Sequence, residues 1–105
     1  GEKIAYVSPV QGFDQIHIWD GKTTKLLTRS AFHYREPAWG REDQLYCLYG
    51  KQGYYRPAMI DAKEGESSLL GNFQETVLEI LPESDDGFLI TIFNAGHSKI
   101  YRFQF

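Results

Sequence analysis

Histidine, cysteine and serine are among the residues of this chain whose side chains could catalyse a reaction or bind a metal. The three histidines, His17, His33 and His97, are widely separated, and Cys47 is the single cysteine. A zinc site needs three or four converging ligands, and this spacing predicts none. No serine lies in a G-x-S-x-G turn, the motif that exposes the nucleophile of α/β-hydrolases. We therefore predict no catalytic residue, no metal site and no cofactor.

The acidic segment Glu83-Ser84-Asp85-Asp86 is a further candidate for ion binding. Hard cations such as Ca²⁺ take several oxygen ligands, but this segment lacks the alternating spacing of a calcium-binding loop. We interpret it as a solvated turn.

Two aromatic clusters, Phe32-His33-Tyr34 and Tyr54-Tyr55, are the best candidates for ligand contact. The favoured interpretation is packing between sheets, and the functional one is a platform for a sugar or a peptide. His33 lies in an expected connecting loop, where contact with a ligand is easiest. The candidate binding residues are therefore His33, Tyr34, Tyr54 and Tyr55.

The composition narrows the class of protein. The chain has 105 residues, a net charge of −3, seven Tyr, seven Phe and two Trp. Aromatic side chains favour pleated, half-buried surfaces. The scattered Lys and Arg residues form no basic stripe, which argues against nucleic-acid binding. No apolar run approaches the length of a membrane span. The start has no charged-then-apolar signal segment, and a leader removed by processing before Gly1 stays open.

The chain repeats itself with a period of 41 residues. The segment Gln11–Asp20 returns without a gap as Gln52–Asp61, and Ile4–Val7 returns as Leu45–Leu48. A period of about 40–45 residues built from strands is typical of β-propeller blades, which bury their faces only by stacking on neighbours.

A weaker third unit follows the same plan. Phe88 corresponds to Leu45, and Gly96 to Gly53, at an offset of 43 positions. The two extra positions relative to the first repeat indicate a slightly longer turn in the third unit. The stretch 73–81 has helical spacing, but its place in the repeat and its Thr-Val pair favour a strand.

Alternation and turn residues predict an all-β domain of about ten short antiparallel strands over 1–105, in units of approximately 3–30, 36–73 and 76–105. The second unit has four strands, and the first and third each lack one. The predicted strands are 4–7, 15–19, 25–28, 45–49, 54–61, 67–70, 76–81, 88–93 and 99–105, with one more starting at Pro37; 29–36 is predicted to be a connection.

These units resemble the TolB-like β-propeller repeat, a relative of the WD-type repeat. The segment Pro37–Leu45 resembles the family stretch P-A-W-S-P-D-G-x-x-I, and Ile4–Ser8 resembles I-A-F-x-S. Ile16–Gly21 resembles I-Y-V-x-D-x-x-G, and Lys25–Thr28 resembles R-x-L-T. The match covers most of residues 4–70, and it departs from the family where Gly40-Arg41 replaces Ser-Pro. The resemblance implies four-stranded blades, protein partners and an exported, periplasmic or cell-envelope setting.

Three units are too few for a closed ring, which needs about four to eight blades. If each end face exposes about 500 Å² of apolar area, at ~25 cal/mol/Å² the loss is roughly 12 kcal/mol per face. A whole domain is stable by only about 5–15 kcal/mol. The outcomes left open are a six-bladed ring of two copies, a fragment of a longer propeller, and a different closed β architecture. We favour the homodimer.

The predicted function is a non-enzymatic β-propeller-type scaffold that binds a protein or another ligand, because loops on rigid sheets usually carry recognition. Two alternatives stay open. One is a fragment or accessory propeller of an enzyme, either a prolyl-oligopeptidase-type peptidase or a polysaccharide lyase or hydrolase. The other is a carbohydrate-binding module.

Overall fold

The structure is a computed structural model that describes residues 2–71, 73, 75–83, 87–94 and 96–104. These residues contain strands and turns and no helix, which confirms the all-β prediction. No helix of the described residues is therefore long enough and apolar enough to cross a membrane. The ten strands are β1 (Ile4–Val10), β2 (Phe13–Trp19), β3 (Thr24–Leu26), β4 (His33–Trp39), β5 (Gln44–Lys51), β6 (Tyr54–Asp61), β7 (Ser67–Leu69), β8 (Val77–Pro82), β9 (Gly87–Asn94) and β10 (His97–Gln104).

The strands form three antiparallel sheets in chain order. Sheet 1 contains β1-β2-β3, sheet 2 contains β4-β5-β6-β7, and sheet 3 contains β8-β9-β10. Within each sheet every strand pairs with the next strand in sequence, so each sheet is a series of hairpins. The four-stranded middle sheet between two three-stranded sheets agrees with the predicted content of the three units.

Two Gln-Gly turns show that the sequence repeat is also a structural repeat. Gln11 and Gly12 have φ angles of 53° and 87°, and Gln52 and Gly53 have φ angles of 56° and 79°. Positive φ at both central residues matches the right-handed twist of a tight hairpin. The first turn joins β1 to β2 and the second joins β5 to β6.

The sheets stack face to face, and sheet 2 lies in the middle. Its strand β5 is buried on both faces, with Leu45, Tyr46, Cys47 and Leu48 all at most 3% exposed. Successive side chains of a strand point to opposite faces. Leu45 and Cys47 therefore join the core against sheet 1, and Tyr46 and Leu48 join the core against sheet 3.

The prediction that 29–36 is a connection is wrong at its end. Strand β4 begins at His33, which pairs with Gly50, and Tyr34 pairs with Tyr49. The pairing shifts register between Arg35 and Ala38, and Glu36 there has a φ of 55°. This irregularity interrupts the alternation that would have revealed the strand. The predicted acidic turn lies mostly outside the described residues, because it includes Ser84–Asp86.

Candidate functional site

A groove of about 450 Å³ opens at the end of sheet 2 where the β5–β6 turn lies. We call it the hairpin groove. Ligand pockets in proteins usually have volumes of about 300–1,000 Å³, so this groove has room for a small ligand or part of a peptide. Its lining residues are Phe32, Tyr49, Gly50, Lys51, Gln52, Tyr54, Arg56 and Leu69.

The register of the β5–β6 hairpin places the groove side chains on one face of sheet 2. Lys51 pairs with Tyr54, and Tyr49 pairs with Arg56. Directly opposed residues of an antiparallel pair share a face. By the alternation of β5, this is the face on which Cys47 packs against sheet 1. The hairpin groove is therefore the open continuation of a buried surface between two sheets.

Two cations lie over aromatic rings in the groove. Lys51 Nζ is 4.9 Å from the centroid of the Phe32 ring, and the Arg56 guanidinium carbon is 5.2 Å from the centroid of the Tyr54 ring. Both distances are within the range of a cation–π interaction. Among the described residues, no carboxylate lines the groove or pairs with either cation.

The aromatic rings of the groove are held in place by their own contacts. The Tyr54 hydroxyl donates a hydrogen bond of 2.6 Å to the carbonyl oxygen of Phe73. The Phe32 ring lies 4.9 Å from the Tyr49 ring, centroid to centroid. A site with fixed rings loses less conformational entropy when it binds a ligand.

His33 lies between sheet 1 and sheet 2. Its Nδ1 is 3.1 Å from the Asp14 backbone nitrogen and 3.3 Å from Asp14 Oδ2. These contacts belong to different protonation states: a neutral Nδ1 accepts from the backbone N–H, and a protonated Nδ1 donates to the carboxylate. The ring is also 5.4 Å from that of Phe13. His33 therefore joins the first two sheets.

Tyr34 and Tyr55 are core residues, with exposed fractions of 5% and 6%. Tyr34 packs in the core between sheets 1 and 2, where burial raises the pKa of its hydroxyl. Tyr55 packs on the opposite side of sheet 2, and the Arg35 guanidinium lies 4.5 Å from its ring centroid. Their ring faces are not available to a surface ligand. Of the four predicted binding residues, Tyr54 alone lines the hairpin groove, and ligand binding by any of them stays a prediction.

Sequence reasoning did not select the two cations of the groove, Lys51 and Arg56. The signal was present: a two-residue Gln-Gly turn between β5 and β6 fixes which residues face each other. It places Lys51 opposite Tyr54. Phe32 belonged to a recognised aromatic cluster, but its approach to Lys51 depends on how the chain before β4 folds back.

Other reactive groups do not assemble into a site in the part of the chain that the structure describes. No three His, Cys, Asp or Glu residues of that part converge on a metal position. Cys47 is fully buried, and burial raises the pKa of its thiol to about 12. The thiolate is the nucleophilic form, so this thiol is unreactive in the folded protein.

The outer faces of the two end sheets carry exposed apolar side chains. On sheet 1 these are Ile4, Tyr6 and Trp19, and on sheet 3 they are Leu81, Phe93 and Ile100. We call these surfaces the free face of sheet 1 and the free face of sheet 3. Ile100 is 71% exposed, although it lies in the middle of β10. These side chains share the outer face of their sheet, where another surface could cover them.

Compared with models of known protein families and with curated proteins, the chain matches none. The likeness to TolB-like repeats therefore rests on the residues quoted for it and stays a prediction.

Proposed function

We propose that this chain is a non-enzymatic scaffold of the TolB-like propeller type that binds protein partners, and that a second copy of the chain completes it. The observation that carries the proposal is the pair of free faces at the two ends of the stack. An exported, periplasmic setting belongs to the proposal through the family resemblance.

The repeat supports the idea that the two free faces fit each other. Ile4 and Tyr6 on the free face of sheet 1 correspond, at 41 positions, to Leu45 and Cys47. Those two residues lie on the face of sheet 2 that receives sheet 1. The free face of sheet 1 is therefore of the kind that receives a preceding sheet.

The free face of sheet 3 is of the complementary kind. Leu89 lies on this face of β9, opposite Leu81 of β8. It corresponds, at 43 positions, to Tyr46, which lies on the face of sheet 2 that packs against the following sheet. Two copies related by a two-fold axis would bring the two kinds of face together twice and close a ring of six sheets.

Size-exclusion chromatography with light scattering tests this proposal. We expect a mass twice the 12.1 kDa of one chain. Phe93→Glu, which puts a charge on the free face of sheet 3, should give single chains, because it buries an unpaired charge in the interface. Ser68→Glu adds the same charge at an exposed site of β7 and should leave the dimer intact. A wild-type protein that runs as one chain and unfolds cooperatively would overturn the proposal.

A further inference from the structure

The hairpin groove of sheet 2 has a counterpart in sheet 1. A second cavity, of about 410 Å³, opens beside the β1–β2 turn. Five of its lining residues correspond to groove residues by the repeat, at 41 positions for the hairpin and 43 for the outermost strand. They are Val10, Gln11, Phe13, Gln15 and Leu26, which stand where the groove has Lys51, Gln52, Tyr54, Arg56 and Leu69.

The two cavities differ in charge at equivalent positions. Gln15 is 1% exposed, and its side-chain amide donates to the carbonyl oxygens of Ser30 and Phe32 at 3.3 and 2.9 Å. Its amide oxygen accepts from the Thr28 hydroxyl at 2.8 Å. The Gln15 side chain is therefore satisfied by the chain itself, although the cavity of sheet 1 is also lined by a cation, Arg29, outside these equivalent positions. The equivalent of Gln15 in sheet 2, Arg56, is exposed and lies over a ring.

Lys51 shows the same difference in charge between the two sheets. Its equivalent in sheet 1, Val10, is uncharged, whereas Lys51 places an ammonium group over the Phe32 ring. Two cations without a carboxylate partner among the described residues thus lie at one end of sheet 2, in a protein whose net charge is −3. Arg and Lys groups with free N–H donors bind carboxylates through charge-assisted hydrogen bonds. The groove therefore favours an anionic ligand.

The rings of the groove indicate what else the ligand carries. A neutral sugar binds by stacking on an open aromatic face, but the cations lie over the faces of Phe32 and Tyr54. Leu69, which is 49% exposed, adds apolar surface at the groove wall. An acidic peptide with apolar side chains between its carboxylates complements both features.

We propose that the hairpin groove is the binding site for an acidic, partly apolar peptide segment of a protein partner, with Lys51 and Arg56 binding its carboxylates. This rests on the proposed role as a protein-binding scaffold, and it names the surface and the chemistry of the partner. Phe32 and Tyr54 position the two cations.

The test is fluorescence anisotropy with a labelled eight-residue peptide of alternating glutamate and leucine. The control peptide has glutamine in place of each glutamate. We expect the acidic peptide to bind at least about tenfold more tightly than the control, because hydrogen bonds between charged groups are stronger than neutral ones. Its affinity should fall as salt is added.

The matched variant is K51V/R56Q, in which each cation is replaced by the residue at the equivalent position of the first unit, Val10 or Gln15. It should weaken the acidic peptide by about tenfold or more, since removal of charged partners costs at least the ~1.4 kcal/mol of a tenfold change. The conservative variant K51R/R56K should keep most of the affinity. The single variant Arg56→Gln provides a second measurement if the double variant unfolds.

Three results would overturn the proposal: no binding of the acidic peptide, equal binding of both peptides, or unchanged affinity in K51V/R56Q and Arg56→Gln. Tighter binding of an oligogalacturonate, measured by competition, would assign the groove to acidic glycans instead. Light scattering on the same samples separates this inference from the proposed function. A dimer that does not bind the peptide contradicts only the proposed peptide site in the hairpin groove. A stable single chain that binds the peptide contradicts only the proposed ring of two copies.

Discussion

Asp20 and Asp61 lie 41 positions apart and make the same pair of hydrogen bonds. Asp20 Oδ1 accepts from the backbone N–H groups of Lys22 and Thr23, both at 2.9 Å. Asp61 Oδ1 accepts from those of Lys63 and Glu64 at 2.8 and 3.2 Å. Each carboxylate thus organises the turn that leads to the outermost strand of its sheet, as Asp commonly does in turns.

These hydrogen bonds predict how stability depends on pH. The backbone N–H groups of Thr23 and Lys22 lower the pKa of Asp20 below its ordinary value of 3.8, and those of Lys63 and Glu64 do the same for Asp61. Below pH 3.8 the unfolded chain takes up protons before the folded chain does. The stabilisation should therefore be complete above that pH and disappear as the pH falls through the lowered pKa values.

Urea unfolding between pH 7 and pH 2.5 measures this effect. In D20N/D61N the amide oxygen still accepts both hydrogen bonds, but the group no longer titrates. We expect the acid loss of stability to be smaller in D20N/D61N than in the wild type. Parallel curves for the two proteins would show that other carboxylates cause the acid loss.

Gln15→Leu tests the buried polar group at the cavity of sheet 1. The substitution removes the amide donor to the carbonyl oxygens of Ser30 and Phe32, and Phe32 then keeps only the 3.5 Å contact from the Ser30 hydroxyl. It also removes the acceptor of the Thr28 hydroxyl. An unsatisfied buried polar group costs about 1–3 kcal/mol, and we expect this loss in the free energy of unfolding from urea titration. The exposed Gln104→Leu is the control. A Gln15→Leu protein as stable as this control would contradict the hydrogen-bond network.

Gly50→Ala should destabilise the β5–β6 hairpin severely. A Cβ atom at Gly50 would clash with the backbone carbonyl oxygen of Tyr54, which cannot move away as a flexible side chain can. We expect a loss of about 3 kcal/mol in the free energy of unfolding, typical of severe overpacking.

Gly12→Ala is the comparison. At Gly12 a Cβ meets nothing within 4 Å, but the φ of 87° disfavours alanine, and the expected loss in the free energy of unfolding is about 1–2 kcal/mol. Thermal unfolding of both variants should rank them in this order, and the reverse order would count against the hairpin geometry.

The thiol of Cys47 should react with disulfide reagents only when the protein opens. Burial raises its pKa to about 12, so almost no thiolate is present at pH 8 in the folded chain. We expect modification by Ellman's reagent to be slow in the absence of urea and to rise steeply in urea, because the opened form becomes more populated. Rapid reaction in the absence of urea, at the rate of a free thiol, would contradict the burial of Cys47.

The strands of this protein could be predicted because their signals are local. Tyr54–Asp61 was predicted with the same bounds that β6 has, since a Gln-Gly turn and an Asp-led turn enclose it. The start of β4 at His33 could not be predicted, because the irregular pairing between Arg35 and Ala38 breaks the alternation. Of the residues that line the candidate site, the sequence predicts Tyr54 alone as a binding residue. Lys51 and Arg56 can be recognised as groove cations only when the register of the hairpin and the position of Phe32 are known.

The all-β class, the 41-residue repeat and its turns follow from the order of the amino acids, because alternation and turn chemistry act between residues close along the chain. Which face of each strand is buried follows from how the sheets pack. Tyr54 and Tyr55 are adjacent in sequence, yet Tyr54 lines an open groove and Tyr55 lies in a core. The choice between faces depends on which sheet stacks on which side, and that packing joins residues far apart in the chain.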